Sequence, residues 1–235
     1  MLSYLICSIN ETDRLDNINE LKNKLPGNIT IQAIYPTITR IPFLEKIKYL
    51  SKQRTGKLLS NAELGLLLSH RNVWNSLLSS NNNEALILES DSKIDNLEIL
   101  INNFNKVHEN YDIFFWGAYD GRMKLYEKSK IVINEQYYIG TPVINSVYCT
   151  YGYSINKNAA TYLLKQSSQV NFPVDYWKIR LKNSTLKVGG ILSQVISTNS
   201  QFKSTVQKKS YNIYNTRIVK KIIDFKNILK AKISV

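Results

Sequence analysis

Two acidic side chains directly follow a short apolar segment and are the first candidates for chemistry in this sequence. Residues 85–88 (Ala-Leu-Ile-Leu) have the composition of a buried strand, and Glu89-Ser90-Asp91 comes next. Residues two apart in an extended segment point to the same side, so Glu89 and Asp91 can act together. Carboxylate oxygens suit Mg²⁺ or Mn²⁺, and such a cation can hold a diphosphate. The segment therefore predicts a metal site for a phosphorylated ligand, with a plain surface turn as the alternative.

Other kinds of site are excluded because their motifs are missing. The sequence has no G-x-G-x-x-G and no G-x-x-x-x-G-K-[ST] motif, which argues against dinucleotide and P-loop sites. His70 and His108 are the two histidines, and neither they nor the two cysteines have the spacing of a zinc site. A G-x-S-x-G nucleophile motif is also missing. Because Cys7 and Cys149 cannot form a disulfide framework, we expect reduced thiols and a cytoplasmic location.

The elements that must position these residues alternate between strand and helix patterns. Apolar segments predict strands at residues 2–9, 29–35, 85–88, 113–116 and 146–155, and periodic segments predict helices at 16–25, 60–78, 97–107 and 157–166. Residues 43–53 fit a helix or a loop, and residues 123–138 fit a hairpin or an irregular excursion. The alternation predicts one α/β domain over residues 1–205 with a mainly parallel central sheet. Such sheets bind ligands beyond the carboxyl ends of their strands, where Glu89 and Asp91 are expected.

The positive charge of the chain is concentrated at its end. The 235 residues have a formal net charge of +13 and are 43% hydrophobic, a composition typical of a globular protein. Residues 202–235 contain nine basic side chains and one acidic side chain, and residues 206–235 are predicted to be a basic tail. Ile218, Ile222, Phe225 and Leu229 recur there at helical spacing, which predicts an amphipathic helix. This helix would lie on an anionic membrane surface or pack on the domain, and nucleic-acid binding is favoured less.

Several segments resemble one family. Residues 59–70 (LSNAELGLLLSH) and Trp74 resemble the L-S-x-x-E-x-G-x-x-x-S-H-x-x-x-W helix of glycosyltransferase family 25, the lipooligosaccharide-type glycosyltransferases. Residues 84–91 resemble the family's strand that ends in Glu-Asp-Asp, and Ile9-Asn10 with Arg14 is similar to its opening strand. Residues 151–160 resemble its Y-x-I-S-x-x-A-A turn, and residues 173–175 match its P-V-D segment. The segments occur in the family's order and span about residues 1–205.

The resemblance implies a GT-A-type, Rossmann-like fold and a metal-dependent transfer of a hexose with inversion. The implied donor is UDP-galactose, with UDP-glucose or a UDP-N-acetylhexosamine as alternatives, and the implied cofactor is Mn²⁺ or Mg²⁺. The acceptor would be a lipooligosaccharide or another surface glycan. The enzyme would act at the cytoplasmic face of the inner membrane, and the basic tail would contact its anionic lipids.

The resemblance also assigns roles to individual residues. Asp91 and Glu89 would hold the metal, and the nucleotide sugar would contact Ser8, Asn10, Arg14, Ser69, His70 and Glu89. An inverting transfer needs a carboxylate that takes the proton of the acceptor hydroxyl. Asp175, expected at the start of a helix, is the first candidate for this base, and Asp120 is the alternative.

Some alternatives stay open for these residues. His70 fits a purely structural hydrogen-bonding role, and Asp175 fits a helix cap. The middle acid of the family's triplet is Ser90 here. Either the outer two acids retain the metal, or the site is weakened and the chain is a non-catalytic carbohydrate- or membrane-binding relative.

Overall fold

The computed structural model of the chain describes residues 1–8, 10–25, 27–35, 39–56, 58–170, 172–199, 201–202 and 217–233. Ile9, predicted to end the first strand, and residues 203–216 of the basic segment lie outside the described residues. The strands of the described part are β1 (Leu2–Cys7), β2 (Ile29–Gln32), β3 (Glu84–Glu89), β4 (Ser92–Ile94), β5 (Ile113–Phe115), β6 (Ile131–Val132), β7 (Tyr138–Gly140), β8 (Gly152–Asn156), β9 (Val188–Leu192) and β10 (Ile196–Thr198). The helices are α1 (Leu15–Lys24), α2 (Leu44–Thr55), α3 (Asn61–Ser79), α4 (Leu97–His108), α5 (Lys157–Gln166), α6 (Trp177–Arg180) and α7 (Arg217–Ile233).

Eight of these strands form one mixed sheet in the order β2-β1-β3-β8-β5-β9-β7-β6. β1 is parallel to β2 and β3, and β5 is parallel to β9. β8 and β7 run against their neighbours, so six of the eight strands share one direction. The predicted α/β class with a mostly parallel central sheet is therefore confirmed. β10 and β4 form a separate antiparallel pair at the end of β3.

The core of the domain surrounds β3, whose residues Ala85, Leu86, Ile87 and Leu88 are almost completely buried. A strand buried on both faces needs a continuous apolar run, which is what the sequence has here. Helix α3 begins with the predicted capping box. The Ser60 hydroxyl accepts a hydrogen bond from the Glu63 backbone amide, and the Glu63 carboxylate accepts one from the Ser60 amide.

Strand β8 is shorter than predicted and runs antiparallel between β3 and β5. β8 begins at the edge of the sheet where β3 and β5 end, so it has to run antiparallel to both. Residues 147–151, predicted as strand, have no regular structure and approach the end of β3, where the Ser92 hydroxyl donates to the Tyr151 carbonyl. This irregular segment helps to form the candidate site.

Helix α7 contacts the domain through its polar side. Asn227 and Ala231 are buried, and the Asn227 amide donates to the Asn145 carbonyl at 3.4 Å. By contrast, Ile222, Phe225, Ile228 and Leu229 are 48%, 61%, 38% and 40% exposed. Docking on the domain therefore leaves this part of the apolar stripe in solvent, contrary to the packing alternative. The side chains of Ile218 and Val219 lie outside the described residues.

Within the described ranges, none of the helices is both long enough and apolar enough to cross a bilayer. The two cysteines, Cys7 and Cys149, are buried and unbonded to each other.

Candidate active site

A cavity of about 380 Å³ lies where β3 and β5 end. Its lining comprises Glu63, Leu66, Glu89, Asp91, Tyr119, Asp120, Tyr148, Cys149, Thr150, Tyr151, Pro173, Val174, Asp175, Thr198, Asn199 and Phe202. Five of these residues are acids, and none of the described lining residues is Lys or Arg. Because like charges repel, the acids of this cavity disfavour a diphosphate whose charge is not neutralised.

Glu89 is held at the cavity wall by a chain of buried hydrogen bonds. The Trp74 indole donates to the Tyr153 hydroxyl at 2.9 Å, and that hydroxyl lies 2.9 Å from Nδ1 of His70. His70 Nε2 lies 3.3 Å from the Glu89 carboxylate, which also accepts from the Thr150 hydroxyl. Since an indole can only donate, every group is satisfied when Tyr153 donates to Nδ1 and the His70 proton is on Nε2.

These hydrogen bonds keep Glu89 ionised. Burial alone would raise the pKa of Glu89, but the hydrogen bonds from His70 and Thr150 outweigh it and hold the pKa below its ordinary value. His70 itself is fully buried and does not line the cavity. His70 therefore lies behind Glu89, with its Nε2 directed at the Glu89 carboxylate, and its contact with the donor diphosphate stays a prediction.

Asp91 has one oxygen beside a cation and one oxygen without a partner. Its Oδ2 lies 3.5 Å from the Arg14 guanidinium, and its Oδ1 is buried with no hydrogen-bond partner. Burial and the neighbouring Glu89 charge raise the pKa of Asp91 to about 6, although Arg14 opposes the shift. An unpartnered carboxylate oxygen in an acidic cavity is a position that a bound cation would satisfy.

Ser90, which replaces the middle acid of the family's triplet, connects Arg14 to another acid. Its hydroxyl accepts from the Arg14 guanidinium at 2.8 Å and donates to the Glu11 carboxylate at 2.9 Å. Glu11 also lies 3.4 Å from Arg14. Ser90 is buried and does not line the cavity, so the substitution leaves the cavity acids Glu89 and Asp91 in place.

Asp175 lies in the loop before α6 rather than at the start of that helix. Helix α6 begins at Trp177 with Tyr176 at its N-cap, so the alternative role of Asp175 as a helix cap is not observed. The buried Arg180 guanidinium instead fixes this loop by donating to the carbonyls of Phe172, Pro173 and Val174.

The Asp175 carboxylate remains open to solvent, although protein atoms crowd around it. This crowding, with the charges of Glu89 and Glu63, raises the pKa of Asp175. Asp120, the alternative base, lies across the strand ends in a left-handed turn (φ 53°) and pairs with Arg122 at 3.5 Å.

The structure thus brings together Glu89, Asp91, Asp120 and Asp175 and places the other predicted contacts elsewhere. The Ser8 hydroxyl accepts from the Asn10 amide at 3.2 Å, and neither residue lines the cavity. Ser69 is buried, where its hydroxyl donates to the Gly65 carbonyl and accepts from the Ile34 amide. Arg14 supports Asp91 without lining the cavity.

Sequence reasoning missed several residues of this site. Thr150 donates to the Glu89 carboxylate, and Glu11 accepts from the Ser90 hydroxyl and lies beside Arg14. Residues 198–199 line the cavity because β10 pairs with β4 directly after Asp91. Glu11 had one available signal, its position three residues before Arg14 at the end of the first strand.

Comparison with known proteins bears on the activity of this site. The sequence model of glycosyltransferase family 25 (LPS biosynthesis protein) matches residues 1–177. The chain belongs to this family. As a family 25 glycosyltransferase of LPS biosynthesis, it acts on a sugar donor and a glycan acceptor. The match covers the positions of Glu89, Asp91, Asp120 and Asp175.

Two further comparisons add little to this. None of the curated proteins matches the chain. Among solved structures, the inositol-1-phosphate CTP transferase from T. maritima is similar to it, with a TM-score of 0.46 and 10% sequence identity over 100% of this chain and 98% of that chain.

Proposed function

We propose that this family 25 protein is an inverting, metal-dependent glycosyltransferase of GT-A type that moves a hexose from a UDP-sugar to a lipooligosaccharide or other surface glycan. The acidic cavity carries the proposal, because it joins five carboxylates at the ligand-binding edge of an α/β sheet. UDP-galactose is the first donor to test. UDP-glucose and UDP-N-acetylhexosamines are the alternatives, since donor choice depends on a few hydroxyl contacts.

A divalent cation fits the residues that are present. Asp91 offers a buried oxygen without a partner, and Glu89 is held ionised beside it. Within the described residues, no group of three His, Cys, Asp or Glu side chains is arranged as a metal site. Mg²⁺ and Mn²⁺ commonly take only one or two protein carboxylates and complete their coordination with substrate phosphates and water. Bound there, the cation would supply positive charge to the leaving diphosphate.

Asp175 is our choice for the general base. Its carboxylate reaches solvent inside the cavity, and its raised pKa makes it a better proton acceptor than an ordinary aspartate. The loop that carries it is fixed by four hydrogen bonds from Arg180. Asp120 already pairs with Arg122, which makes it the weaker candidate.

The activity is tested by measuring UDP release from a panel of UDP-sugars with Mn²⁺ or with a chelator. We expect one donor to be preferred and turnover to depend on the metal. Asp91→Asn should abolish this turnover, and Asp13→Asn, an exposed aspartate outside the cavity, is the matched control. If Asp91→Asn changes no measurable property of the protein, the non-catalytic alternative is correct.

We also propose that α7 binds an anionic membrane surface. Ile222, Phe225 and Leu229 are exposed on the docked helix, and Lys221 and Lys226 are exposed on the same helix. Apolar insertion and lysine charge act together at such surfaces.

Sedimentation with phosphatidylglycerol vesicles should therefore capture the protein, and high salt should release it. Phe225→Ala should weaken capture, whereas Ile101→Ala, which removes an exposed apolar side chain on α4, should not. Equal capture by neutral phosphatidylcholine vesicles would contradict this assignment.

A further inference from the structure

A second cavity adjoins the acidic one. It has a volume of about 340 Å³ and is lined by Ile144, Asn145, Val147, Tyr148, Asp175, Tyr176, Trp177, Lys178 and Ile179. Asp175 and Tyr148 line both cavities. The candidate base therefore lies at the boundary between two spaces, and each space is large enough for a small ligand.

The chemistry of the second cavity differs from that of the first. Asp175 is the one acid among its described lining residues, and Lys178 is the one base. Tyr148 and Tyr176 are about half exposed, and Ile144, Val147 and Ile179 contribute apolar surface. A sugar ring has apolar C–H faces and a rim of hydroxyls, and aromatic side chains with a polar tip complement both. A diphosphate, by contrast, has no cluster of bases here to bind.

Asn145 adds an amide to this lining. Its Oδ1 is buried without a hydrogen-bond partner, while its backbone carbonyl accepts from Asn227 of α7. Rotation of the amide would let a ligand hydroxyl satisfy that oxygen, and buried polar groups gain from such a partner. Asp224 of α7 also lies close enough to add to the burial that raises the pKa of Tyr148. The helix proposed to bind the membrane thus packs on the wall of this cavity.

We infer that the second cavity binds a sugar ring of the glycan acceptor and presents one of its hydroxyls to Asp175. The inference rests on the proposed transferase activity. In the step itself, the hydroxyl oxygen forms a bond to the anomeric carbon of the donor while that carbon's bond to the diphosphate oxygen breaks. The leaving nucleoside diphosphate keeps the electron pair, and the Asp175 carboxylate takes the hydroxyl proton.

The test measures the binding of octyl β-D-galactopyranoside and octyl β-D-glucopyranoside by saturation-transfer NMR in the presence of UDP and Mn²⁺. Two variants remove side chains that line the second cavity alone, Tyr176→Ala and Asn145→Ala, and a third, Ile179→Trp, fills it. Tyr49→Ala removes an exposed tyrosine outside both cavities and is the matched control. Thermal melts of each variant establish that it is folded.

We expect the wild type and Tyr49→Ala to bind at least one glycoside, and the three cavity variants to bind it at least tenfold more weakly. UDP affinity, measured on the same samples, should change far less than glycoside affinity. Failure of both glycosides to bind the wild type, or unchanged glycoside binding in the folded cavity variants, would overturn the inference. A wild type that binds a glycoside but no UDP would instead refute the proposed function.

Discussion

Replacing Asp91 by Asn should stabilise the protein while destroying its activity. The pKa of Asp91 is about 6 in the folded protein against an ordinary value of 3.8, so the ionised carboxylate is disfavoured by folding. Each pKa unit corresponds to about 1.4 kcal/mol, which sets a ceiling of about 3 kcal/mol on this penalty above pH 6. Water reaches part of the side chain, which is 20% exposed, so we expect a gain of about 1–3 kcal/mol at pH 7.5.

The assay is thermal unfolding of the wild type, Asp91→Asn and the control Asp13→Asn between pH 4 and pH 7.5. For a chain of this length, about 1 kcal/mol shifts the melting temperature by about 2–4 °C. The advantage of Asp91→Asn should be full above pH 6 and should shrink as pH falls toward 3.8, because the wild-type carboxyl is then protonated in the folded protein and increasingly protonated in the unfolded chain. UDP with Mn²⁺ should raise the melting temperature of the wild type and of Asp13→Asn but not that of Asp91→Asn. A variant that is less stable than the wild type at pH 7.5 would refute the reasoning.

Four other substitutions test three separate parts of the structure. His70→Phe removes the hydrogen bond that holds Glu89, so we expect a loss of about 10–100-fold in kcat/KM for the donor. Unchanged kinetics would show that the hydrogen bonds from Trp74 through His70 do not support the site. Asp175→Asn should lower kcat by about 10²–10⁴-fold and Asp120→Asn by much less, and the reverse order would make Asp120 the base. Burial lowers the pKa of His108 to about 4, so folding favours the neutral imidazole. The stability that neutral His108 contributes at pH 7 is therefore lost as pH falls from 6.5 toward 4. Urea unfolding measures how far the free energy of unfolding falls between pH 7 and pH 5, and this fall should be about 2 kcal/mol smaller in His108→Gln than in the wild type. An equal fall in both proteins would contradict this.

The parts of the fold that follow from local patterns were predictable from the sequence. The capping box at Ser60 and Glu63 marks the start of α3, and the apolar run at residues 85–88 marks β3, because both are set by neighbouring residues. The direction of β8 was not predictable, since it depends on where the chain between β5 and β8 returns to the sheet. The exposure of Phe225 was equally hidden, because a periodic stripe does not say which side of a helix docks.

The candidate site divides in a similar way. The four predicted acids among the five that line the cavity carry short-range signals, such as the end of a strand before Glu89 or the proline two residues before Asp175. The residues that hold them come from distant segments. Glu89 takes its hydrogen bonds from His70 and Thr150, and no spacing in the sequence connects those three positions.

The central claim is that the acidic cavity binds a nucleotide diphosphate only together with a divalent cation at Asp91. Calorimetric titration of UDP into the wild-type protein, with Mn²⁺ and then with a chelator, tests it most directly. We predict measurable UDP binding with Mn²⁺, none with the chelator, and none to Asp91→Asn under either condition. Equal UDP affinity with and without the cation, or full affinity in Asp91→Asn, would contradict the claim.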